Sequence, residues 1–166
     1  FLQLALGYIA GRLLVSVLFI PAYFKGQLFT YYELLQRRFG TPVTTVAAAA
    51  AYRDRIRAAR PADAAFEPLM TLYLTDRTSA SEIERARASG FVHAVKYYPA
   101  GATTHSDAGV TSIERAYPAL AAMEREGVVL SVHGEATDPD VDVFDRERVF
   151  VDRLLTRIVR DFPALR

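Results

Sequence analysis

The rhythm of apolar and polar positions changes near residues 40–42. Before that break, residues 4–24 are almost wholly apolar or small, with Arg12 the one charge, and the run is long enough to predict a membrane-spanning helix. Arg12 near the centre of such a span costs about 2.5–3.5 kcal/mol, which Leu13, Leu14, Val15, Val17, Leu18, Phe19 and Ile20 offset. Pro21 is expected to kink or end it. The competing reading is a buried core helix, since the charged start and cleavage site of a signal peptide are missing. A short helix is expected next, opened by a Thr30–Glu33 capping box and ending at Arg37, Arg38, Phe39 and Gly40.

After Pro42 the pattern becomes that of an α/β protein. Thr44 and Thr45 offer an N-cap for an alanine-rich helix through about Ala59, with Val46, Ala49, Ala50, Arg53 and Ile56 on one stripe, and Pro61 stops it. Residues 68–74 read as a buried strand, Ser79 with Glu82 as a capping box, and 83–89 as a helix closed by Gly90. The grammar then repeats: strand 92–97, a capping box at Thr111 and Glu114, a helix carrying Ile113, Tyr117, Leu120 and Met123 on one face, Gly127, and strand 128–132. A last helix is expected over 144–162, with Phe150, Leu154, Ile158 and Phe162 inward. Such alternation predicts a parallel sheet or barrel with right-handed crossovers.

Composition narrows the picture further. The 166 residues fall short of the roughly 250 of a complete (β/α)8 barrel. Twenty basic against 19 acidic residues, spread evenly for a net charge of +1, predict no nucleic-acid partner. Without cysteine there is no disulfide, no thiolate catalysis and no cysteine-ligated zinc, which fits a reducing compartment. The chain starts at Phe1 rather than methionine and ends after an amphipathic helix, as a fragment would.

Two successive strands end in residues able to bind a metal, Lys96 in FVHAVKYYP and His133 in VVLSVHGEA. In a parallel α/β sheet such positions face a shared pocket at the carboxyl ends of the strands. For Lys96 the plain reading is a side chain that snorkels to solvent or pairs with a carboxylate. The more specific reading is a buried, neutral amine that carbon dioxide carbamylates into an anionic oxygen ligand. His133 is either a satisfied core histidine or a ligand, and the pairing with Lys96 favours a site.

Other motifs fail on inspection. His133, Gly134 and Glu135 echo the deaminase H-x-E, whose cysteine partners this chain lacks. Asp138, Asp140 and Asp142 resemble the start of a calcium loop, but Val143 and Val149 occupy its glycine and glutamate positions, so a solvated turn is expected. The loop 99–109, PAGATTHSDAG, has no P-loop lysine. It reads as a flexible surface loop or, starting three residues after Lys96, as a lid bringing Thr103 and Thr104 over a ligand.

Together PLMTLYLTD, FVHAVKYYPAGATTHSDAGVTS, LSVHGEATDPDVDVFDRE and TPVTTVAAAAAYRDRI resemble the bacterial, monofunctional dihydroorotases of the amidohydrolase superfamily, over residues 41–166. The resemblance implies a fold class of α/β, a partial (β/α)8 TIM barrel of about three strand-helix units, here preceded by the hydrophobic helix. It implies zinc-dependent interconversion of dihydroorotate and N-carbamoyl-aspartate in the cytoplasm, in an enzyme that is commonly homodimeric. Lys96 stands where the family has its carbamylated lysine bridging two zinc ions, His133 where it has a metal-ligating histidine, and Thr103 and Thr104 at the loop pair that contacts substrate. The implied reaction is metal-assisted hydrolysis of a cyclic amide.

Departures from that pattern are equally plain. No His-x-His exists, since His93, His105 and His133 are the only histidines. The family's substrate-binding arginine and asparagine, a further metal histidine and the catalytic aspartate are also without counterparts. The isolated chain is therefore expected to be inactive. Residues 1–40, with GYIAGR at one end and TYYELLQRRFG at the other, resemble a membrane-spanning segment of sodium:solute symporters instead. This implies membrane contact through residues 4–24, and the boundary reads as a join between unrelated genes.

Overall fold

The structure is a computed structural model that describes residues 2–25, 42–61, 63–103 and 106–166. It divides into two units, Phe1–Thr41 and Pro42–Arg166. In the first, helix α1 spans Leu2–Lys25 and runs through Pro21 rather than ending there. Among the described residues, no helix is long and apolar enough to cross a membrane. The expectation of a transmembrane helix is thereby corrected. Its apolar run is interrupted by Gly7, Gly11, Ser16 and above all Arg12, whose guanidinium lies 4.7 Å over the Tyr8 ring. The expected capping box at Thr30 and Glu33 lies outside the described residues, as does the helix end at Arg37.

In the second unit, α2 (Val46–Ala59) begins as its sequence dictates: the Thr45 hydroxyl accepts from the Ala48 amide at 3.2 Å. Strands β1 (Met70–Tyr73), β2 (Val92–Tyr97) and β3 (Val129–Val132) form a parallel sheet in the order β1-β2-β3. Helices α3 (Ala80–Ser89) and α4 (Ile113–Glu126) make the crossovers, each closed by a left-handed glycine, Gly90 at φ 71° and Gly127 at φ 67°. Leu72, Val95 and Tyr97 of the sheet and Leu74 just past β1 pack with Ile83, Leu120 and Met123 of these helices in one core. The α/β reading with a parallel sheet is therefore correct.

Three local expectations needed correction. Strand β1 is shorter than residues 68–74, because Pro68 has no amide to donate and the register shifts between Met70 and Thr71. At α3 only half a capping box forms. Ser79 accepts from the Glu82 amide at 3.2 Å, but the Glu82 carboxylate accepts from the Val46 amide at 2.6 Å and from Arg85, tying α3 to the start of α2. At α4 the cap is Ser112, since Thr111 is engaged by Asp76.

The last helix forms as one unbroken run, but it is not α-helical throughout. A 3₁₀ turn (Val143–Asp145) leads into α5 (Arg146–Phe150), a π-helical turn (Val151–Leu155) and α6 (Thr156–Asp161). Phe150, Ile158 and Phe162 still point inward, with Leu154 half-buried against the same core. The wider turn inserts between Phe150 and Ile158, where a strict 3.6-residue period is not kept. Asp142 caps the 3₁₀ turn by accepting from the Phe144 amide at 2.9 Å, as the solvated-turn reading of 138–142 requires.

Candidate metal centre

Strand register brings the candidate residues together. Lys96 lies opposite Tyr73 of β1 and Ser131 of β3, and Tyr97 opposite Val132. The His133 amide then donates to the Tyr97 carbonyl at 2.9 Å, extending the pairing one step past β3. Val95 and Tyr97 point into the helix-covered core, so the period of two turns Lys96 to the opposite face.

Lys96 is half-buried, and its amine donates to the carbonyl of Val132 at 2.7 Å. Burial holds its pKa below that of an ordinary lysine, so the neutral amine needed for carbamylation is easier to reach. The imidazole of His133 has a different environment. Its Nε2 lies 3.2 Å from Oε1 of Glu135, within ion-pair distance, but this buried atom makes no hydrogen bond among the described residues. A buried ring nitrogen without a hydrogen bond costs free energy, and its neutral form has a lone pair to offer a ligand.

One aromatic ring joins the two. Tyr98, just past β2, has the Lys96 Nζ 5.0 Å from its centroid and the His133 ring 5.4 Å away at 36°. Tyr73 stacks on the same ring at 5.2 Å, its hydroxyl buried and likewise unpaired among the described residues. Burial raises the Tyr73 phenol, helped by Tyr98 and by Asp107 of the following loop. Sequence reasoning missed both tyrosines; for Tyr98 the doublet in VKYYP was the available signal.

The loop is better ordered at its base than a surface loop need be. Pro99 bridges to Val110, the Ala100 amide donates to the Val110 carbonyl at 3.0 Å, and the Val110 amide to the Tyr98 carbonyl at 2.9 Å. Ser106 is buried at 1% exposure, accepting from the Thr103 amide at 2.9 Å and donating to the Thr103 carbonyl at 2.6 Å. Thr103 is exposed and hydrogen-bonded within its own loop, while Thr104 lies outside the described residues. Beyond the loop, the Asp76 carboxylate accepts from the Thr111 amide (2.9 Å), the Thr111 hydroxyl (2.6 Å) and Arg115 (2.9 Å). A groove of about 550 Å³ runs past Thr75, Asp76, Ser79, Asp107 and Thr111, to one side of Lys96 and His133.

Donor chemistry sets what a metal would find. Among the described residues, no group of three or more His, Asp or Glu converges. His133 with its unpaired nitrogen suits a metal, and Lys96 would suit one once carbamylated, so the residues present fit part of a ligand set.

Comparison with known proteins decides which family that partial set is compared with. Over 125 residues, 75% of this chain and 36% of the relative, it is 68% identical to a dihydroorotase of Cupriavidus necator. The similarity is to dihydroorotases. A dihydroorotase of Azoarcus sp. is 65% identical over 133 residues, 80% of this chain and 39% of that one. Among solved structures, the Saccharomyces cerevisiae dihydroorotase in complex with 5-fluoroorotic acid superposes at TM-score 0.64 with 32% identity, covering 75% of this chain and 35% of that one. The Campylobacter jejuni dihydroorotase gives the same TM-score of 0.64 at 35% identity, again covering 75% and 35%. No protein-family model matches. The chain thus spans little more than a third of the length of the curated dihydroorotases it matches. None of these similarities supports the symporter reading of residues 1–40.

Proposed function

We propose that residues 41–166 are part of a dihydroorotase, a (β/α)8 enzyme that opens the cyclic amide of dihydroorotate to N-carbamoyl-aspartate and closes it again. The division of the chain at Thr41/Pro42 supports treating residues 1–40 as a separate segment. The observation that carries the reading is the meeting of Lys96 and His133 on one ring at the carboxyl ends of adjacent parallel strands. Such ends are where α/β enzymes assemble their sites.

A bound zinc would supply Lewis-acid activation of the scissile amide and of water. His133 would hold it through the unpaired Nε2. For Lys96, the neutral amine nitrogen would add to the carbon of carbon dioxide and lose one proton, leaving a carbamate that would offer oxygen donors to a metal. Its lowered pKa favours that addition. Thr103 and Thr104 would contact substrate from the loop, whose base is fixed by Ser106 and Val110. Cytoplasmic operation, a small-molecule substrate and homodimer formation belong to the same reading.

Two donors do not complete a binuclear site, which supports inactivity of the 166-residue chain by itself. Purified full chain, supplied with zinc, bicarbonate and dihydroorotate, is the test. We expect zinc binding that depends on His133 and no turnover; steady hydrolysis by this chain alone overturns the inactivity, and zinc binding indifferent to His133→Asn overturns the site.

A further inference from the structure

We propose that Tyr98 is a positioning residue that fixes Lys96, His133 and the base of the 99–110 loop in one arrangement. This rests on the metal-site reading above and adds to it a residue that ligates nothing. The Tyr98 ring carries three neighbours: the Lys96 amine at 5.0 Å, the His133 ring at 5.4 Å and, stacked at 22°, the Tyr73 ring at 5.2 Å. In the uncarbamylated chain, an ammonium over a ring face and offset aromatic pairs are each attractive, and a ring held by Tyr73 has little freedom to turn. Meanwhile the Tyr98 carbonyl accepts from the Val110 amide at 2.9 Å, which closes the loop. Gly109 packs so tightly there that an added Cβ would lie 2.5 Å from the Tyr98 oxygen. A single residue thus touches both candidate donors through its ring and the loop through its backbone.

The experiment uses the full chain, isotopically labelled and metal-free, as wild type and as Tyr98→Phe, Tyr98→Leu and Tyr98→Met. Nuclear Overhauser contacts from residue 98 and side-chain order parameters report on Lys96 and His133; zinc ions are then titrated in. Wild type and Tyr98→Phe should keep both side chains ordered against the ring, while the leucine and methionine variants release them. Loss of such an outer partner costs a metal site about 10–100-fold in affinity, so Tyr98→Leu and Tyr98→Met should bind zinc about tenfold more weakly, and Tyr98→Phe within about twofold of wild type. If the leucine variant fails to fold, the methionine variant, whose longer unbranched side chain adapts to the space of the ring, decides. Unchanged order of Lys96 and His133 in the folded aliphatic variants overturns the proposal. Should wild type bind no zinc, the metal reading fails, and the metal-free order of the two side chains still decides the role of Tyr98.

Discussion

The amine of Lys96 donates to the carbonyl of Val132 at 2.7 Å, from one strand to the next, directly before His133. A basic side chain that belongs to β2 is thereby held at the end of β3. The two candidate donors are brought to one level by strand register and held there by a bond from a side chain of β2 to the backbone of β3.

Burial lowers the Lys96 pKa, so the neutral amine gains population as pH rises through that lowered value toward the ordinary 10.5. The folded chain binds fewer protons here than the unfolded one across that window, and folding becomes more favourable as pH increases. Carbon-13 NMR in labelled bicarbonate should therefore show a lysine carbamate that increases with pH and disappears in Lys96→Met. A signal that survives in Lys96→Met belongs to another amine.

Asp76 clamps the loop exit to the turn after β1. Burial alone would raise its pKa, but the hydrogen bonds from the Thr111 hydroxyl and amide, together with Arg115, outweigh it and hold the carboxyl below its ordinary 3.8. A depressed carboxyl stabilises the fold above the ordinary value and loses that contribution as pH falls through the folded-state value. Asp76→Ala should cost about 1–3 kcal/mol in urea unfolding at pH 7. In acid the difference between variant and wild type should shrink.

Glu82 links two helices rather than capping its own. Glu82→Ala leaves the Val46 amide without its acceptor and Arg85 without its partner, and should destabilise the second unit by about 1.5–3 kcal/mol in thermal or urea unfolding. Arg85→Ala removes only a largely exposed partner and should cost about 1 kcal/mol or less.

Gly109 has backbone, not side chains, around its missing Cβ: the Tyr98 carbonyl oxygen at 2.5 Å and that of Ser106 at 2.8 Å. Gly109→Ala must shift the loop base, and amide exchange at Val110 and Ala100 should accelerate about tenfold or more, the equivalent of 1.4 kcal/mol of lost local stability. Gly134→Ala meets only the flexible edge of Phe150 at 3.3 Å and should be milder.

Much of this architecture was readable from local signals. Thr45, Ser79, Gly90 and Gly127 each act where the sequence places them, because caps and left-handed glycines are decided within one helical turn. The pairing of Lys96 with His133 followed from two strands of equal grammar. What escaped depended on distant partners. Thr111 looked like a cap until Asp76, 35 residues away, claimed its hydroxyl, and the Glu82 carboxylate bonds an amide 36 residues back. Tyr98 lies outside the strand, and its value comes from two other rings and an amine that only the register assembles. The π-helical turn interrupts a stripe whose apolar spacing looked continuous.

Zinc titration of the labelled full chain, followed at the imidazole nitrogens of His133, tests the central claim most directly. The account predicts that Nε2 of His133 shifts as zinc is added, and that His133→Asn abolishes the binding. Zinc that leaves His133 unshifted, or that binds the His133→Asn variant equally well, would contradict it.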